Sequence, residues 1–131
     1  MLKLPVPALL GASLLALCTS AMFVLAAPTN FQAQVVDGAD KVSLTWNSNA
    51  PKVRVFVQKQ VTRPNGSLGW ETQSGSAALG ELAYPRNMDN TGSHVVNTHA
   101  TVLGTYRFSI KAKNGVNYSD STPWIVRTGL H

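Results

Sequence analysis

LGTYRFSIKAKN, residues 103–114, decides the architecture. Tyr106, Phe108, Ile110 and Ala112 fall on alternate positions, and Arg107, Ser109, Lys111 and Lys113 fill the gaps. In a strand successive side chains point to opposite faces, so this run carries one apolar face and one basic face. In a helix the same four apolar residues would scatter around the circumference. Asn114-Gly115 closes the run with residues that tolerate a left-handed backbone.

The same period recurs upstream. Phe31, Ala33 and Val35 alternate with Gln32, Gln34 and Val36. Val42, Leu44 and Trp46 alternate with Ser43 and Thr45, and Val53, Val55 and Val57 with Arg54, Phe56 and Gln58. Asp37-Gly38-Ala39-Asp40 and Pro64-Asn65-Gly66 are turn signals between such runs. Residues 70–73 predict a short returning strand. Residues 74–91 hold Gly75, Gly80, Pro85 and Asn90 without a clear apolar period, which predicts a long loop with at most one short edge strand. Residues 93–102 predict another strand. Residues 123–128 predict the last one, with Pro123 at its start, where a missing N–H donor is tolerated. No sustained helical period follows residue 27, so the class is all-β.

Residues 1–26 read as a signal peptide or membrane anchor, and 27–131 as the folded domain. Lys3 is the only charge in the first segment, and the chain is uncharged and apolar from Leu4 to Ala27. Val24-Leu25-Ala26 offers the small or medium residues that a signal peptidase reads. The rival reading is an uncleaved anchor, because the run exceeds the roughly 20 residues that span a bilayer. Pro5, Pro7 and Gly11 weaken such a helix in its first turns. Either reading exports the domain, to the periplasm, cell surface or medium, or holds it outside on an anchor. Leu15-Ala16-Leu17-Cys18 is similar to a lipobox only in its first two residues, and Leu17 stands where a small residue is needed. Cys18 therefore reads as one more apolar leader residue.

The 131 residues suffice for one domain of ordinary size. Charged residues make up only 13%, with a net charge of +5, a balance that favours acidic partners. The single cysteine excludes an intrachain disulfide. His94 and His99 would face opposite sides of one regular strand, and His131 is the last residue, so the histidines predict no shared metal. Asp37 and Asp40 read as turn formers. No zinc-protease, calcium-loop, nucleophile-elbow or phosphate-cradling pattern occurs. The expectation is a non-enzymatic protein without cofactor or metal.

With these features in order, residues 28–127 resemble a fibronectin type III domain. The resemblance is carried by Pro28, Phe31, Val42-Ser43-Leu44-Thr45-Trp46, Leu103-Gly104-Thr105-Tyr106, Ala112, Asn114, Gly115 and Ser119. It departs at Val102-Leu103-Gly104, which lacks the proline usual before that glycine, and in the long stretch 74–91. The resemblance implies an immunoglobulin-like two-sheet sandwich of fibronectin type III type behind the apolar leader. Trp46 would be its core tryptophan, and Tyr106 its corner tyrosine, whose hydroxyl bonds back to the backbone. It further implies one sheet from the runs at 31–36, 42–46 and 93–102 and a second on 53–58, 103–114 and 123–128. The outer face of the second sheet would then carry Lys52, Arg54, Phe56, Arg107, Lys111 and Lys113. Trp124 and Val126 are expected inward on the last strand.

Two candidate binding surfaces follow. One is the face of Arg54, Phe56, Arg107, Lys111 and Lys113. The other is the loop 114–121 with Asn117 and with Tyr118 at its tip, a loop from which this family often presents ligands. No Arg-Gly-Asp occurs, and Asn65-Gly66-Ser67 and Asn117-Tyr118-Ser119 are glycosylation sequons. The expected function is an exported binding module for extracellular or cell-surface recognition. Its expected partner is a protein or acidic polysaccharide rather than nucleic acid, with membrane contact through the N-terminal segment. The alternatives are a membrane-tethered structural subunit of an envelope or surface assembly, and a carbohydrate-binding module using Trp70 and Tyr84.

Overall fold

The computed structural model describes residues 24–36, 38, 40–77, 82–98 and 104–130. Most of the leader, with Lys3 and Cys18, lies outside the described residues, as do Asp37, Glu81, His99, His131 and the Val102-Leu103 departure. Among the described residues the order is β1 (Thr29–Val36), β2 (Lys41–Asn47), β3 (Lys52–Thr62), β4 (Leu68–Thr72), a 3-10 turn (Gly75–Ala77), β5 (Arg86–Asp89), β6 (Ser93–Asn97), β7 (Gly104–Asn114), β8 (Asn117–Tyr118) and β9 (Ile125–Leu130). The edge strand expected within 74–91 is β5.

The strands form a two-sheet sandwich, as expected. β1, β2 and β6 make a three-stranded sheet, in that order. β3 and β7 are the centre of a six-stranded one. β4 and β5 share the outer edge of β3, pairing with its 58–62 and 52–55 segments respectively. β8 and β9 likewise share the far edge of β7.

Alternation along β3 and β7 builds the core. Val53 lies opposite Ala112, Val55 opposite Ile110 and Val57 opposite Phe108, and all six are buried. Residues directly opposite in a ladder share a face. The three-stranded sheet answers with Val42, Leu44, Trp46 and Val96, and Ala33, Tyr84, Tyr106 and Leu130 complete the packed layer. Arg127 of β9 crosses between the layers, where its Nε donates to the Ala33 carbonyl of β1 at 2.8 Å.

Trp46 needs a partner for its indole N–H, because a buried donor left unmet is costly. Asn90 supplies one. The Trp46 Nε1 donates to Asn90 Oδ1 at 2.9 Å, while Asn90 Nδ2 donates to the carbonyls of Ser48 at 2.7 Å and Ala50 at 2.8 Å. One amide thus ties the core tryptophan to the β2–β3 connection.

The last strand departs from expectation. It begins at Ile125, and its register sets Val126 opposite Arg107 and Ile125 opposite Phe108. Ile125 therefore packs inward, whereas Trp124 is 39% and Val126 45% exposed. The expected inward placing of Trp124 and Val126 is wrong by one residue, and a one-residue slip turns every side chain to the other face. Ahead of β9 two hydroxyls hold the β7 edge. Ser119 Oγ accepts from Ala112 N at 2.8 Å, and Thr122 Oγ1 accepts from Ile110 N at 3.1 Å. Ser109 Oγ donates to the Thr122 carbonyl at 2.7 Å. These bonds satisfy backbone groups of β7 without a continuous ladder.

Trp46→Ala is expected to cost on the order of 3–5 kcal/mol in urea unfolding, the range for emptying a large aromatic site. Asn90→Ala should cost about 1–3 kcal/mol, because it strands the indole N–H and two carbonyls. Unchanged midpoints for both variants would refute this account of the β2 end of the core.

Candidate functional site

The outer face of the six-stranded sheet is set by the same alternation. Lys52, Arg54, Phe56 and Gln58 of β3 point away from the core, as do Arg107, Lys111 and Lys113 of β7. The register sets Lys52 opposite Lys113 and Arg54 opposite Lys111. Like charges directly opposite destabilise a sheet. Lys52 is relieved by Asp89 of β5, its Nζ standing 2.6 Å from the carboxylate. That hydrogen bond, reinforced by the lysine charge, holds the Asp89 carboxyl below its ordinary range. Arg54 meets a neutral partner instead, donating from its Nη1 to Asn87 Oδ1 at 3.0 Å. Among the described residues no ion pair joins Arg54, Lys111 or Lys113 to a carboxylate.

Aromatic rings stand among these cations. The β7–β8 hairpin turns at Gly115, which adopts a φ of 63°, and Val116, which is 90% exposed. Val116, not Tyr118, is therefore the tip. Tyr118 lies opposite Lys113 and shares its face. Its ring centroid is 5.8 Å from Arg54, 5.2 Å from Lys111 and 5.7 Å from Lys113. Phe56 has Arg54 at 5.8 Å and Lys111 at 5.3 Å. The expected face and the expected loop thus merge at Tyr118. Asn117 does not join them: it lies opposite Asn114, and the alternation turns it away from Tyr118.

Arg107 behaves differently. Its guanidinium is held between two indoles, 4.4 Å from the Trp70 ring and 4.2 Å from the Trp124 ring. Its Nε donates to Gln58 Oε1 at 2.7 Å, and Gln58 Nε2 donates to Thr72 Oγ1 at 3.1 Å. Burial lowers the Arg107 pKa from its ordinary value. This cation clips β4, β3, β7 and the residue ahead of β9 together. Sequence reasoning missed the clip, because it joins residues far apart in the chain and depends on the β9 register.

Tyr106 is buried, and Lys59 approaches its ring at 5.8 Å. Residues 99–103, the upstream backbone that a corner hydroxyl would reach, lie outside the described residues. Tyr84 is buried, which removes it as a sugar-stacking ring. Its hydroxyl donates to His94 Nε2 at 2.8 Å when the ring proton is on Nδ1. Burial pushes the Tyr84 pKa up to about 12 despite the opposing Arg86 charge. Burial, with Arg86 second, lowers the His94 pKa from 6.5. Among the described residues no three His, Cys, Asp or Glu side chains gather as metal ligands. No helix there is long and apolar enough to cross a membrane.

No protein-family model and no curated protein sequence matches the chain. Solved structures do. The FN5 domain of Drosophila Lar superposes with a TM-score of 0.56 at 13% identity, over 82% of this chain and 99% of that one. A solved myokine structure superposes with a TM-score of 0.53 at 13% identity, over 82% and 99%. The chain has the fibronectin type III fold.

Arg107→Gln should cost about 1–2 kcal/mol in urea unfolding, since it empties a cation site between two rings. Arg54→Gln should stay within about 0.5 kcal/mol. Equal effects would mean that Arg107 is one more solvated cation. His94 is harder to protonate folded than unfolded. It contributes stability above its unfolded value of 6.5, and that contribution is lost as pH falls through the lowered folded value. The melting temperature should therefore fall from neutral pH toward pH ~5, and His94→Gln, which keeps an acceptor for Tyr84, should flatten the fall. Parallel curves for parent and variant would exclude His94 as the source.

Proposed function

We propose that the chain is an exported, non-enzymatic binding module acting in extracellular or cell-surface recognition, with the outer face of its six-stranded sheet as the binding surface. The observation that carries this reading is the grouping of Arg54, Lys111 and Lys113 around Phe56 and Tyr118. A core fold does not require it. Cross-strand cations repel one another, and they lack the carboxylate partner that Lys52 has. An acidic partner would remove that repulsion, and the net charge of +5 works in the same direction. Export is supported by the apolar leader, and a binding role by a fold that commonly carries one.

Retention on a heparin surface and on anionic lipid vesicles across a salt series tests the reading. The parent should be retained at low salt and released toward physiological ionic strength, where screening acts over about 8 Å. The triple variant Arg54→Gln, Lys111→Gln, Lys113→Gln should lose retention and unfold at the same urea midpoint or a higher one, because exposed charges contribute little to folding. Equal retention of parent and variant would mean that the cations only keep the surface solvated.

A further inference from the structure

Resting on that reading, we infer that the face is a track for a linear acidic polysaccharide, with sugar rings stacked on Tyr118 and Phe56 and their carboxylate or sulfate groups held by Arg54, Lys111 and Lys113. Charge alone does not explain the site. A free anion would need only the cations, yet two rings lie among them, and Tyr118 is 41% exposed. A pyranose has an apolar C–H face and acidic groups at its rim, so it engages ring and cations at once. The arrangement is also extended. Tyr118 lies at the level of Lys113, Phe56 opposite Ser109, and the Trp70–Arg107–Trp124 stack at the level of Arg107. Residues 113 to 107 of one strand cover roughly 20 Å at about 3.3 Å per residue. Aromatic surface therefore recurs along the strand direction, which suits a polymer rather than a single headgroup.

The full-length chain is titrated with heparin oligosaccharides, with polygalacturonate, with neutral dextran, with phosphatidylglycerol vesicles and with single-stranded oligothymidylate. Both acidic saccharides should bind and dextran should not. Tyr118→Ala should weaken saccharide binding roughly three- to tenfold, the scale of one lost aromatic contact, while Tyr118→Phe keeps parental affinity. Thermal melts of both variants should match the parent, since the ring is exposed. If Tyr118→Ala binds as the parent does while the triple glutamine variant does not, the face reads charge only, and this inference fails while the proposed function stands. If the triple variant also binds normally, both fail. Tighter binding to vesicles or to oligothymidylate than to either saccharide would overturn the saccharide assignment.

Discussion

The antiparallel register of β3 on β7 is the constraint on which the rest depends. It sets Val55 against Ile110 on one side of the sheet and Arg54 against Lys111 on the other. Both consequences come from a single set of hydrogen bonds, because side chains alternate strictly across a pleated sheet. A slip by one residue would carry the valines into water and the cations into the core. Burial of Val53, Val55, Val57, Phe108 and Ile110 therefore enforces the basic face as well as the core.

The cations on that face do different jobs. Lys52 is neutralised by Asp89 at the β5 edge. Arg107 is spent on the fold, held between the rings of Trp70 and Trp124 and bonded to Gln58. Arg is suited to this, since its planar and weakly hydrated head stacks on rings while its N–H groups still donate. Among the described residues, Arg54 and Lys113 donate only to neutral groups, Asn87 and the Gly115 carbonyl, and with Lys111 they surround Phe56 and Tyr118 without a carboxylate. Placement alone would treat all these residues as one basic patch, and only their contacts separate the cation enclosed by rings and the one paired with a carboxylate from the rest.

The sandwich is closed at its margins by polar groups. Asn90 answers the Trp46 indole and two loop carbonyls, Arg127 reaches the Ala33 carbonyl across the layers, and Ser119 and Thr122 satisfy β7 where β8 and β9 leave a gap. Each meets a backbone or side-chain group that would otherwise be buried without a partner. In a domain without disulfides such bonds help specify one arrangement of an apolar core that hydrophobicity alone would leave less defined.

Local periodicity by itself determined the all-β class, the inward side of β2, β3 and β7, the core place of Trp46, and the outward place of Arg54, Phe56, Lys111 and Lys113. These are properties of a residue relative to its own strand, and a period of two expresses them directly. The β9 side was not legible, because Ile125 and Val126 are adjacent apolar residues and either phase fits the pattern. Tyr84 gave no sign of burial, since its segment has no period and its partner His94 lies on β6, ten residues on. The arrival of Tyr118 on the cationic face, and the enclosure of Arg107 by two tryptophans, were decided by the tertiary structure alone. Both depend on which strands pair and in what register, and that is settled by contacts between residues far apart in the chain.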